Sequence, residues 1–77
     1  MLTREDEVGI IQSNIRVVEG AIYGAVIRHR VAKKVKDEES IKKETDFLEK
    51  MEKMKMEYEE ILKEVMKPEP SQGEPKQ

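Results

Sequence analysis

An antiparallel hairpin of two long helices, its core completed by a second copy of the chain, is the all-α architecture that three features of these 77 residues predict. Val8, Ile11, Ile15, Val18, Ile22, Ala25 and Ala32 fall on one seven-residue repeat, the spacing of a coiled-coil seam. A second amphipathic stretch runs from Ile41 to Met66. The chain is also too short to bury a sizeable core, and it has no cysteine with which to build a disulfide framework or a thiolate metal site. Association remains as the supplement, so the expected object is a homo-oligomeric helical bundle, a dimer in its simplest form. The hairpin is expected at 1–67 and a disordered tail at 68–77.

Helix 1 is expected over about 3–36. Thr3 is a good N-cap, Asp6 stands three residues on as a short variant of the capping box, and Glu5 and Glu7 lie near the positive end of the helix dipole. The basic residues Arg28, Arg30, Lys33, Lys34 and Lys36 lie toward the other end, where cations are favoured. Many of its apolar residues are β-branched, so a strand hairpin turning at Glu19-Gly20 competes. The pairs Val17-Val18 and Val26-Ile27 break the alternation that a half-buried strand needs, and helix is preferred. Its apolar surface is wider than one neighbour covers, because Ile10, Val17, Gly24 and Val31 form a second line of period seven.

The oligomer interface is expected along Val8, Ile11, Ile15, Val18, Gly20, Ala21, Ile22, Gly24 and Ala25. The small residues Gly20, Ala21, Gly24 and Ala25 let another backbone approach closely, which places the crossing with a dimer mate there. The competing reading is that the glycines relieve crowding against the chain's own second helix or mark a kink.

The hinge is expected at about 36–40, where Asp37-Glu38-Glu39 reverses the charge, and helix 2 at about 40–67, capped by Ser40 or by an acidic residue before it. Phe47, Met51, Met54, Tyr58, Ile61 and Val65 alternate in steps of four and three, with Ile41, Leu48 and Leu62 widening the stripe. The pairs Glu38–Lys42, Glu39–Lys43, Asp46–Lys50, Glu49–Lys53 and Glu59–Lys63 mark the solvated side. Pro68 ends the helix and pushes Lys67 out of the helical region. The residues beyond carry no aliphatic or aromatic side chain, which is the composition of a disordered tail.

Net charge is −2, unevenly spread: residues 1–36 carry seven basic and four acidic side chains, residues 37–67 seven and eleven. The arms therefore have opposite signs, +3 and −4. The longest apolar or glycine run, 20–27, is far short of the ~20 residues that cross a bilayer. The N-terminus is acidic, unlike a secretory leader, and a cytoplasmic location is expected.

The only candidate ligand chemistry is the basic cluster, in which Arg28, Arg30, Lys33 and Lys34 could hold phosphates. Dipole complementation and solubility are the preferred account. Three aromatic residues in the whole chain leave no stacking platform for single strands. His29 has no serine, cysteine or paired carboxylate placed to work with it, and Val26, three residues before it, breaks the Glu-x-x-His spacing of helical-bundle metal sites. No enzyme, metal or cofactor is expected. Met51 and Met54 read as core filling, while Met56 lies off the stripe. The function expected is a non-enzymatic, self-associating module that binds another protein, as small regulators, inhibitors and assembly factors do. A nucleic-acid-binding regulator and a structural subunit of a larger assembly are the alternatives.

Overall fold

A computed structural model describes residues 1–67 as two antiparallel helices, α1 (Arg4–Lys34) and α2 (Glu38–Met66). Among these residues there is no strand, so the helical repeat prevails over the β-branched composition of α1. The expected tail at 68–77 lies outside the described residues. No described helix is long and apolar enough to cross a membrane.

α1 starts where the cap chemistry places it. Thr3 Oγ1 accepts from the Asp6 amide at 3.0 Å, and Asp6 Oδ2 accepts from the Thr3 amide at 3.1 Å. Two N–H groups that have no partner within the helix are thereby satisfied by one short motif.

The connection is tighter than the expected hinge at 36–40. The Asp37 amide donates to the Ala32 carbonyl at 3.0 Å and the Lys36 amide to the Lys33 carbonyl at 3.2 Å, the paired bonds of a Schellman turn. Lys36 takes the left-handed position at φ 60, a place more often filled by glycine. Asp37 then caps α2: its carboxylate accepts from the Ser40 amide at 3.2 Å and from the Ser40 hydroxyl at 2.8 Å. Ser40 thus stands inside the first turn as a donor, not as the cap. These hydrogen bonds to the ionised form hold the Asp37 carboxyl below its ordinary range, the hydroxyl of Ser40 contributing most. At the far end Lys67 leaves the helix in an extended conformation, as a residue before proline does. Arg4 Nη2 donates to the Lys67 carbonyl at 3.3 Å across the open ends of the arms.

The core lies along the facing sides of the arms and is thin. Among the described residues only Val18, Ala25 and Ala32 are buried, and α2 contributes no buried residue. On α1 the half-buried residues Val8, Ile11, Ile15, Ile22 and His29 continue the same line. On α2 the half-buried line is Ile41, Glu44, Leu48, Met51, Lys55, Tyr58, Leu62 and Val65, in strict steps of three and four. This corrects the expected stripe: Met54 and Ile61 are exposed, and Phe47 sits at the margin. Two charged residues take seam positions because each has a partner on α1. Glu44 meets Arg28 at 2.9 Å and Lys55 meets Glu19 at 3.2 Å, while their aliphatic stems cover the seam. None of the five expected i,i+4 pairs forms among the described residues; Lys42 bonds Asp46 instead, at 3.4 Å and fully at the surface.

Candidate interaction surface

The two long flanks of the hairpin differ in chemistry. One flank is polar. Gln12, Arg16, Glu19 and Glu59 line a shallow cleft there with the edges of Ile15 and Leu62, and the Glu19–Lys55 pair bridges the arms beside it.

The opposite flank is marked by Arg28, whose guanidinium lies 5.7 Å from the centre of the Phe47 ring while its Nε donates to Glu44. The Glu44 side chain is 14% exposed and the Arg28 side chain 54% exposed, so the pair closes one edge of the seam and leaves the arginine reaching over the ring. The hydrogen bond that Arg28 donates to Glu44 raises the Arg28 pKa above its ordinary value, against the smaller opposing effect of desolvation. Repeat positions extend this flank along both arms. On α1, Ala21 and Val35 lie seven residues either side of Arg28, and Ile10, Val17, Gly24 and Val31 run alongside them. On α2, Met54 and Ile61 follow Phe47 at intervals of seven.

The α1 half of this face is mostly apolar and open, whereas on α2 the exposed charged line Lys43, Lys50, Glu57 and Glu64 runs beside Phe47, Met54 and Ile61. Val17 is 71% exposed, Val35 66%, Val31 55%, and Ile10 and Ile61 about half exposed. Met54 and Ile61, with Tyr58 and Glu57, border a shallow apolar depression on α2. On α1 the middle of the face is small: Ala21 and Gly24 are half-buried, and a Cβ added at Gly24 would meet only the Arg28 guanidinium, at 3.4 Å. Phe47, Met54 and Ile61, which the spacing within α2 alone predicts to be core, stand on this flank instead.

The residues expected at an oligomer interface divide in the same way. Val8, Ile11, Ile15, Val18, Ile22 and Ala25 face α2 within the chain, and Val18 and Ala25 are already buried there. Of that set Ala21 and Gly24 lie on the open flank, and Gly20 is exposed on the outer side of α1. The basic cluster is divided too. Arg28 is engaged with Glu44 and Phe47 on one flank, whereas Arg30, Lys33 and Lys34 stand exposed elsewhere on α1. Among the described residues no three His, Asp or Glu converge into a group that could hold a metal ion. The chain matches no family model, and neither curated proteins nor solved structures match it.

Proposed function

We propose that this chain is a non-enzymatic, self-associating helical module that acts by binding protein, in the manner of a small regulator, inhibitor or assembly factor. The observation that carries the reading is the open apolar flank formed jointly by α1 and α2, with Val17, Val31, Met54 and Ile61 exposed on one side of the hairpin. Contiguous apolar surface of this kind is a usual mark of a protein contact. The thin core adds a second support: two alanines and a valine leave a single hairpin with little buried apolar area to oppose the ordering of its chain.

Light scattering at low and high salt, with circular dichroism on the same samples, tests it. A strongly helical dimer or small oligomer whose mass does not respond to salt is expected, because an apolar contact is not screened. A helical monomer at every concentration overturns self-association.

A further inference from the structure

Resting on that reading, we propose that the occupant of the open flank is a second copy of this chain, related by a two-fold axis parallel to the helices. In this dimer α1 of each copy lies on α2 of the other.

The register of the arms supports this pairing. The contacts of Arg28 with Glu44, Glu19 with Lys55, and Arg4 with the Lys67 carbonyl set which levels of α1 and α2 coincide. On that register Phe47 is level with the turn from Gly24 to Arg28, Met54 with the turn from Val17 to Ala21, and Ile61 with the turn from Ile10 to Asn14. A two-fold axis along the hairpin preserves these levels, so each bulky side chain of one α2 meets a gap between two residues of the partner's α1. Size matches as well: the largest knob, Phe47, falls opposite Gly24, where α1 contributes no side chain of its own and only the movable Arg28 guanidinium lies over the backbone. This is the large-into-small packing of a helical bundle.

Charge points the same way. α1 on α2 brings a segment of +3 against one of −4, whereas α1 on α1 sets like against like. The flank is also large enough. α1 has 31 residues and is therefore ~46 Å long at about 1.5 Å per residue, and two adjacent helices span ~20 Å at about 10 Å each. Their product, ~900 Å² per chain, meets the roughly 800 Å² that each partner contributes to a specific interface. A two-fold contact uses the same flank twice and closes, leaving the polar Glu19 flank outside.

Cross-linking distinguishes this arrangement from its alternatives, and the absence of native cysteine gives it no background. Val17→Cys and Met54→Cys are made as separate chains, checked for helicity, mixed through unfolding and refolding, and oxidised mildly with oxidised glutathione. A cross-linked dimer is expected in the mixture, in up to half of the chains if copies pair at random, and not in either chain alone. A mixture of Val17→Cys with Met56→Cys, which is exposed off the flank, stays monomeric on the same gel. Cross-linking of Gly24→Cys or Ala21→Cys with itself overturns the proposal in favour of α1 on α1. No cross-link in the Val17 and Met54 mixture, from chains that light scattering shows to be dimeric, overturns the pairing while self-association stands. A monomeric wild-type chain overturns both.

Discussion

Val18→Ala is the substitution that most directly weighs the packing of α1 on α2. Val18 is 5% exposed and belongs to the three-residue core. Removing two methyl groups forfeits about 1.6 kcal/mol of burial at ~0.8 kcal/mol each, and incomplete collapse of the space adds to that. Helix propensity works in the opposite direction, since alanine is better than valine in a helix by ~0.5 kcal/mol. The net loss expected is about 1–2 kcal/mol per chain, which for a domain of this size lowers Tm by roughly 5–15 °C. Val26→Ala is the matched control, because Val26 is 38% exposed and lies on neither the seam nor the open flank. There about three-fifths of that burial, roughly 1 kcal/mol, is set against the propensity gain with no enclosed space left behind, so the net loss should stay within ~0.5 kcal/mol. Thermal and urea unfolding followed by circular dichroism, at one fixed chain concentration for all three proteins, gives the comparison. A Val18→Ala chain as stable as wild type, or a Val26→Ala chain as damaged, would refute the assignment of the seam.

Thr3→Ala removes the bond that the Thr3 hydroxyl accepts from the Asp6 amide, leaves the Thr3 amide able to donate to Asp6, and should lower stability by ~1 kcal/mol, with amide exchange quickening first in the opening turn of α1. Lys36→Gly should stabilise the chain by ~0.5–1 kcal/mol in the same melts, because glycine removes the strain of a left-handed lysine and gives back only part of that in unfolded-state entropy. Asp37 has its pKa lowered from 3.8, so its contribution is present above that value and is lost as pH falls through the lower folded-state value. Below about pH 4 the wild type should therefore lose stability more steeply than Asp37→Asn, whose amide still caps but does not titrate; parallel pH profiles would remove the role given to this carboxylate. Gly24→Leu should leave helicity intact, since only the movable Arg28 guanidinium is near, and should shift the solution mass toward monomer by blocking the site of the partner's Phe47. A dimer of unchanged mass would show that this part of the flank is not in the interface.

The seam of α1 was legible because nothing interrupts it: every position from Val8 to Ala25 on that line is aliphatic, and the repeat alone identifies the side that meets α2. α2 misled for a definite reason. Glu44 and Lys55 occupy seam positions, so hydropathy follows the adjacent line through Phe47, Met54 and Ile61 and rotates the helix by one strip. Only the partners Arg28 and Glu19, 16 and 36 residues away in the chain, make those charges acceptable at the seam, and a period read within one helix carries no trace of them. The turn hid behind a substitution of the same kind. A glycine at position 36 would have announced the Schellman turn, whereas lysine there reads as the end of a basic run. The caps at Thr3 and Asp37 and the stop before Pro68 depend on neighbours within three residues, and all three were within reach of the sequence.

The asymmetry of the flanks follows from the same correction. If Phe47, Met54 and Ile61 had formed the core of the hairpin, the apolar surface of the chain would have been accounted for by one contact between two helices, and the second line of α1 would have had no counterpart. With Ile41, Leu48, Met51 and Tyr58 on the seam instead, α2 carries two apolar lines, as α1 does. Both second lines lie on the side where Arg28 reaches Phe47, and neither on the side where Glu19 meets Lys55. A hairpin that worked alone would gain from polar residues along both flanks. One wet flank and one dry flank are what a two-layer bundle requires of each layer, and the position of two charged residues on α2 is what places them so.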